Sequence, residues 1–450
     1  MDSGAKQEPG PIERSAIRKV TVRLVPFLAL MFFINFLDRT AISFAAPHGM
    51  MEYLGLSAAQ FGFASGIFFI GYIILEIPSN LALHKFGARK WLARIMITWG
   101  IVAVLFTFVQ TGTQLYWLRF LLGVMEAGFF PGAIFFLSMW VPARYRAKVL
   151  GLFYLAQPLT TAIGAPLAGG LVQLHGLFGL DGWRVMFLGV GAPAIIVGVL
   201  AIFILKDRPE DAGWLTHDEQ QWLSTSLADE APRTEKAHKL GVLDTFKNGR
   251  VWALSIVYFG FIYGLYALGF FLPTIVSGFK RDLGELSAIQ EGLITGAPYI
   301  VAAVVLYLWS RKVQREGLKM WHIAFPAFVG AVSIPCALFV EGNPFVTMIF
   351  VTLTACSIFA VLPNFWTLPT QFLTGAAAAA GTALINTLGN LAGFSAGYIT
   401  GWLKDISGGY VLPMFVVGGM MAISGSMLIF LRRSGLRKQS LVVVPEVLTA

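Results

Sequence analysis

The chain alternates between long apolar runs and short polar connections over most of its length. A helix that crosses a bilayer needs about 20 mostly apolar residues in succession. Charged residues are sparse inside the apolar runs and concentrate between them. The pattern predicts twelve membrane-spanning helices, near residues 24–47, 60–82, 93–110, 115–141, 149–173, 183–205, 251–277, 287–309, 320–340, 345–368, 376–400 and 410–431.

One polar stretch, residues 206–250, is much longer than the other connections and divides the predicted spans six and six. Within it, Thr216 and Glu219 have the spacing of a helix start. A short surface helix is predicted to follow them, with a plain linker as the alternative. We therefore expect a tail, a six-helix bundle, a cytoplasmic linker, a second six-helix bundle and a second tail, with bounds 1–23, 24–205, 206–250, 251–431 and 432–450.

The two predicted bundles carry a weak repeat at a spacing of 230 residues. Residues 84–91 follow the second span and residues 314–321 follow the eighth, with Gly, basic residues and Trp in register. A glycine turn flanked by cations suits a short cytoplasmic hairpin, and internal repeats are the usual construction of secondary transporters. The candidate gating residues of these hairpins are Lys85, Gly87, Arg89, Arg315 and Gly317.

Composition supports a membrane protein and excludes several soluble classes. Apolar residues (AVILMFWYC) make up 56% of the chain and charged residues 13%, whereas a soluble fold carries about 25% charged residues. These values exclude a soluble enzyme and a disordered chain. The net charge of +9 follows from topology, because 27 of the 33 Lys and Arg residues fall on one side of the predicted membrane. The positive-inside rule predicts that both termini are cytoplasmic, and no nucleic-acid partner is needed.

Other chemistry lacks its usual sequence patterns. Two Cys residues cannot build a disulfide scaffold or a Cys-rich metal site, and the six His residues show no metal-ligand spacing. There is no GxxxxGK[ST] phosphate loop, no HExxH and no GxSxG. We therefore expect no cofactor, no metal, no catalytic residues and no ATP-driven transport by this chain alone.

Ionisable residues inside the predicted spans are the strongest candidates for function. A charge at mid-bilayer costs roughly 2.5–3.5 kcal/mol on insertion scales, so such residues usually mark a functional site. The first half holds Asp38, Arg39, Glu76, Arg119 and Glu126, and the second half holds none that is clearly central. The first half is therefore predicted to handle charge, and the second to supply shape and neutral polar contacts.

Each of these charged residues is given a role. Arg39 is predicted to bind substrate, because a guanidinium matches a carboxylate with two hydrogen bonds. Asp38 is predicted to couple protons, and the alternative for both residues is structural pairing with other helices. Glu126 is predicted to carry a proton, with a neutral core glutamate as the alternative. Arg119 lies about 10 Å from Glu126 along one helix, so it is predicted to balance an acidic residue elsewhere, and Glu76 is interpreted as structural.

Neutral polar and aromatic residues complete the predicted substrate site. Asn386 and Asn390 lie one turn apart on one helix face. Two prolines flank residues 364–367, and such interruptions are tolerated where backbone lines a cavity. Core hydrogen bonding is the alternative for every member of this set. Its members are Tyr72, Gln157, Tyr263, Tyr266, Asn364, Trp366, Thr367, Asn386 and Asn390.

These features resemble the major facilitator superfamily, and the local motifs resemble its anion:cation symporter branch. The first hairpin departs from the superfamily pattern, with Asn80 and His84 where Gly and Asp are usual, and the first-helix motif has Ala41 where that branch usually has Asn. The likeness covers about residues 20–432. It is carried by residues 35–45, 77–80, 86–89, 119–123 with Glu126, and 207–211.

The resemblance implies an all-α membrane fold of twelve helices in two pseudo-symmetric six-helix bundles. It implies a monomer in the bacterial plasma (inner) membrane that imports a small organic anion, such as a sugar acid, a dicarboxylate or an aromatic acid, by proton symport with alternating access. A proton-coupled exporter of a drug or metabolite is the alternative, because residues 164–170 partly resemble an antiporter signature. A non-transporting sensor is a third class, for which the linker and tails leave little room.

Overall fold

The computed structural model describes residues 10–228, 247–339, 343–369 and 375–433, and its secondary structure there is entirely helical. Within these residues, ten helices are long and apolar enough to span a membrane, and the apolar helix Trp321–Ala337 is shorter. The described helices of at least ten residues are α1 (Pro11–Ala45), α2 (Ala58–Phe86), α3 (Ala88–Leu105), α4 (Gly112–Glu126), α5 (Phe129–Ser138), α6 (Ala143–Val172), α7 (Gly182–Ile204), α8 (His217–Ala228), α9 (Gly249–Ser277), α10 (Ala288–Glu316), α11 (Trp321–Phe339), α12 (Pro344–Phe365), α13 (Gly375–Ser407) and α14 (Val411–Arg433).

The fourth predicted span is two helices, α4 and α5, separated by a glycine break. Gly128 has φ +85°, a left-handed conformation that favours glycine. A Cβ there would also lie 2.5 Å from the Ser79 hydroxyl. With α4 and α5 counted as one span and α8 set aside, the remaining helices give the predicted twelve. The break makes Glu126 the last residue of α4 and so fixes its place in the site.

The helices α2 and α10 are structural repeats of each other. Each has 29 residues, and each begins with a capping box, formed by Ser57 with Gln60 and by Ser287 with Gln290. Both end at a glycine of positive φ, at positions 87 and 317. The internal repeat therefore extends from the caps to the hairpins. We call the end of the molecule where α2 and α10 begin the capping end, and the end where they finish the hairpin end.

The two halves of the chain touch most closely through glycines near the capping end. A Cβ on Gly62 in α2 would lie 2.1 Å from the carbonyl oxygen of Gly397 in α13. A Cβ on Gly292 in α10 would lie 2.5 Å from the carbonyl oxygen of Ala165 in α6. Small residues let membrane helices approach at backbone contact. The repeat thus builds two related interfaces between the first six spans and the last six.

The linker begins with an ordered helix that docks on the first half. This is α8, the surface helix predicted after Thr216. Its buried Glu219 accepts hydrogen bonds from the Ser15 hydroxyl at 2.6 Å and the Lys19 ammonium at 2.8 Å, both on α1. Burial alone would raise the pKa of Glu219, but these hydrogen bonds lower it to about 2. Linker residues 229–246, residues 1–9 of the predicted N-terminal tail and residues 434–450 of the predicted C-terminal tail lie outside the described residues. Residues 11–23 of the predicted N-terminal tail are helical and belong to α1.

Candidate functional site

A buried ion pair between α1 and α4 forms the centre of the candidate site. The guanidinium of Arg39 donates through Nη2 and Nε to Oε1 of Glu126, the Nε contact being 3.1 Å long. The Glu126 side chain is fully buried. It lies at the C-terminal end of α4, where the helix dipole disfavours a carboxylate. The cation of Arg39 offsets both the burial and the dipole.

Arg39 also connects the two halves of the molecule. Its Nη1 donates to the hydroxyl of Tyr266 on α9 at 2.9 Å. Its guanidinium lies 4.8 Å from the ring centre of Phe68 and 5.4 Å from that of Tyr72, both on α2. Cation–π contacts with such rings stabilise a desolvated guanidinium. Arg39 is therefore oriented by residues of three other helices.

Asp38 and Arg119 are buried beside this pair in different surroundings. Neither carboxyl oxygen of Asp38 has a hydrogen-bond partner among the described residues. Arg119 donates to the backbone carbonyls of Ala64 at 3.2 Å and Ser65 at 3.3 Å on α2, and to that of Arg39 at 3.5 Å. Within the described part of the chain, Arg119 therefore bonds to backbone oxygens of α1 and α2 and forms no ion pair.

A cavity of about 90 Å³ lies between the two halves, next to Arg39. Its lining mixes one cation, amides and aromatic hydroxyls with apolar side chains. Seven of the lining residues are ones that the sequence predicts for the substrate site: Arg39, Tyr72, Gln157, Tyr266, Trp366, Asn386 and Asn390. The other eight were not predicted, because they carry no charge or amide to mark them: Phe32, Phe36, Phe130, Tyr258, Ile262, Leu265, Leu362 and Gly389.

Three other predicted substrate residues do not line this cavity. The Asn364 amide donates to the carbonyl of Ala360 in its own helix at 2.8 Å. The Thr367 hydroxyl donates to the carbonyl of Asn364 at 2.7 Å. Tyr263 is fully buried, with its ring centre 6.3 Å from that of Phe259. These contacts are of the kind expected from core hydrogen bonding and packing.

The amides of Asn386 and Asn390 have a partner that the sequence analysis did not anticipate. Asn386 Nδ2 donates to Oε1 of Glu76 at 2.6 Å, and Asn390 Nδ2 lies 3.5 Å from Oε2. Glu76 belongs to α2 in the first half, and both asparagines belong to α13 in the second. The carboxylate interpreted as structural thus contacts two residues of the cavity wall.

The family profile of the Major Facilitator Superfamily matches residues 28–397, which include every residue that lines the cavity. The chain belongs to the Major Facilitator Superfamily. It is therefore a multi-pass membrane transporter of small molecules and not an enzyme. The expectations of the superfamily and of the all-α fold of two pseudo-symmetric bundles are confirmed.

Relatives within the Major Facilitator Superfamily extend the comparison. The chain is 47% identical over 426 residues to a protein named putative tartrate transporter from Agrobacterium vitis, covering 94% of this chain and 92% of that one. It is 36% identical over 430 residues to a quinolone resistance transporter from Acinetobacter baumannii, covering 95% and 97%. Its fold is similar to a bacterial homologue of the human lysosomal transporter Spinster, solved inward-facing and unoccupied, with TM-score 0.73, 17% identity and coverage of 96% and 98%.

The first hairpin has His84 where the superfamily usually has Asp, and an acidic residue of the linker contacts it instead. Asp207 accepts a hydrogen bond from the backbone N–H of Arg89 at 2.9 Å, at the start of α3. A Cβ on Gly87 would lie 3.2 Å from the same carboxylate. The Lys85 ammonium lies 5.6 Å from the Phe86 ring. In the second copy Arg315 lies in the last turn of α10, before Gly317.

Metal binding has no support within the described residues, where no group of three His, Cys, Asp or Glu is placed to hold an ion. Both Cys336 and Cys356 are free thiols on different helices.

Proposed function

We propose that this transporter imports an organic anion together with protons, by alternating access between its two halves. The ion pair of Arg39 and Glu126 carries the proposal. Arg39 lines the cavity, and the carboxyl paired with it is buried in the same half. A guanidinium is the preferred protein partner of a carboxylate, so the first candidate substrate is a carboxylic acid.

Competition for Arg39 explains how the anion and the proton would travel together. A substrate carboxylate must replace Glu126 at the guanidinium, and a proton on Glu126 removes the charge that competes. Leaving a charged Glu126 buried without its cation would cost several kcal/mol. Protonation and anion binding therefore favour each other. Asp38 is a second proton site in this scheme, because a buried carboxyl whose oxygens have no hydrogen-bond partner among the described residues is less costly when neutral than when charged.

Sidedness follows from the distribution of basic residues. The positive-inside rule assigns both termini and the hairpin end to the cytoplasm, so the capping end faces outward. The contacts between halves near the capping end then belong to a state closed toward the outside. In this proposal the protein acts as a monomer in a bacterial inner membrane, residues 24–205 and 251–431 move as two bundles, and the hairpins around Gly87 and Gly317 act as inner gates.

Proteoliposome uptake tests the coupling. We expect labelled tartrate, the named substrate class of the 47% identical relative, to accumulate under an inwardly directed proton gradient. The Glu126→Gln variant should retain exchange of internal for external substrate but lose accumulation, because its site no longer titrates. Glu52→Gln, at an exposed position outside the site, is the matched control. The proposal is contradicted if uptake does not depend on the proton gradient, or if the Glu126→Gln protein still accumulates substrate.

Export is the second candidate function, and the similarity to a quinolone resistance transporter favours it. A deletion strain separates the two functions. Loss of growth on a single carboxylic acid supports import, whereas increased sensitivity to quinolones with unchanged growth supports export.

A further inference from the structure

We infer that Glu76 recognises hydroxyl groups of the substrate, so that the central cavity selects a hydroxy acid over a carboxylic acid without hydroxyls. The inference rests on the proposed function and specifies the class of anion. It assigns a substrate-selecting role to a residue that the ion-pair mechanism does not use.

The position of Glu76 is the first observation behind this role. Its side chain is half-buried on α2, and its two oxygens face the amides of Asn386 at 2.6 Å and Asn390 at 3.5 Å. Both asparagines line the cavity. A carboxylate and two amides therefore form a polar cluster at the cavity wall, and the two halves of the chain share it.

The charge distribution around the cavity is the second observation. Tyr72 lies one turn before Glu76 on the same face of α2, and its ring is 5.4 Å from the Arg39 guanidinium. Arg39 and Tyr72 thus line the cavity, and the acceptor Glu76 lies behind the lining amides of Asn386 and Asn390. An occupant that matches both charged groups has a carboxylate for Arg39 and hydrogen-bond donors for Glu76.

Hydroxyl groups are the donors that an organic anion can offer there. An ionised carboxylate only accepts hydrogen bonds. A substrate without hydroxyls would therefore meet Glu76 with like charge or with apolar surface. A substrate hydroxyl can donate to Glu76 in place of the Asn386 amide, and the released amide can donate to the substrate. Because the Glu76 contacts join α2 to α13, this exchange also rearranges a contact between the halves when the cavity fills.

Three four-carbon dicarboxylates isolate the contribution of the hydroxyls. Tartrate, malate and succinate have the same chain length and charge and carry two, one and no hydroxyl groups. Affinities are measured on the purified full chain from ligand-dependent thermal shifts. Hydrogen bonds to charged groups are stronger than neutral ones, so we expect about tenfold tighter binding per hydroxyl in the wild type. In Glu76→Gln, tartrate should weaken by at least about tenfold, while succinate binds equally or more tightly because the like charge is gone.

Glu52→Gln is the matched control and should keep the wild-type order. Equal affinity of the wild type for the three acids overturns the inference but leaves the proposed function intact. If the wild type binds none of the three acids and no sugar acid such as gluconate, both the inference and the proposed function are overturned. A Glu76→Gln protein that weakens all three acids equally shows a structural role and also overturns the inference. The wild-type series needs no variant, so this criterion holds even if Glu76→Gln does not fold.

Discussion

Arg39 uses only some of its hydrogen-bond donors on the described residues. A guanidinium offers five N–H groups. Within the described residues, three of them bind Glu126 and Tyr266. The remaining two donate to none of the described residues. In the proposed function, these two N–H groups bind the substrate anion before Arg39 releases Glu126, which lowers the cost of the exchange between the two carboxylates.

Replacing Arg39 by lysine tests whether the guanidinium geometry matters beyond its charge. Lysine keeps the cation but cannot contact Glu126, Tyr266 and a substrate in one plane. We expect Arg39→Lys to weaken carboxylate binding by at least about tenfold, the loss of one charged hydrogen bond, with little change in the thermal unfolding midpoint. Arg281→Lys, at an exposed position, is the control. Unchanged affinity in Arg39→Lys would show that the site uses charge alone.

Sequence reasoning identified the charged site residues but not their partners. Arg39 and Glu126 stand out because charge inside a span is costly. The two paired residues are 87 positions apart in the chain. Glu76 and Asn386, which also pair, are 310 positions apart. Such separations carry no local pattern. Phe32 and Leu362 line the cavity with the same apolar chemistry that faces lipid elsewhere, so composition could not distinguish them.

At the scale of elements, the repeat of α2 and α10 explains how one pattern builds two interfaces. The hairpin repeat was predicted from sequence. The stretches 57–66 and 287–296 also share the order Ser, Gln, Gly, Gly at a spacing of 230 residues, and the structure shows its meaning. The Ser and Gln residues cap the helices, and the glycines contact backbone across the halves. The partners, α13 and α6, could not be identified without the tertiary structure.

Valine at Gly62 tests the interface between α2 and α13. Its Cβ would overlap the carbonyl of Gly397, and overpacking of this kind typically costs about 1–3 kcal/mol. We expect Gly62→Val to lower the thermal unfolding midpoint and to reduce transport. Gly419→Val on α14 is the matched control, because a Cβ there meets nothing within 4 Å. A Gly62→Val protein as stable and active as the control would show that the halves do not need this approach.

The docked linker helix gives a prediction about pH. Because the pKa of Glu219 falls from 4.5 to about 2, its stabilising contribution is complete above pH 4.5 and is lost only as the pH falls toward 2. Amide exchange protection of α8, corrected for intrinsic rates, should therefore be constant between pH 5 and 8. Glu219→Gln should reduce that protection, whereas Asp218→Asn, an exposed neighbour, should not. Protection that declines between pH 8 and 5 would contradict this assignment.

At the scale of the whole molecule, the contacts between halves differ in kind along the membrane normal. Near the capping end, backbone approaches at glycines are joined by a polar contact between the halves, since Glu291 on α10 lies 3.3 Å from His48. Glu291 also lies 3.1 Å from Lys280 in its own half. Near the cavity, the contacts are hydrogen bonds of Arg39 and Glu76 that a substrate can replace. The sequence predicts two halves. Which end of the molecule is closed depends on small free-energy differences between these two kinds of contact, and the sequence pattern does not reveal them.

Asp405 provides the sharpest test of this closed end. Its two carboxylate oxygens accept hydrogen bonds from the backbone N–H groups of Ala58 at 3.1 Å and Ala59 at 2.7 Å, so a residue of α13 caps the start of α2. Losing such a cap costs about 1 kcal/mol. We therefore expect Asp405→Ala to shift the ratio of closed to open molecules about fivefold toward the open state.

Spin labels at Glu52 and Ile406, which are exposed at this end, report the shift as a larger share of long distances in double electron–electron resonance. Asp282→Ala removes an exposed carboxylate close to the start of α10 and serves as the control. An unchanged distance distribution in Asp405→Ala would mean that the glycine interfaces and the contact of His48 with Glu291 hold the capping end closed without Asp405.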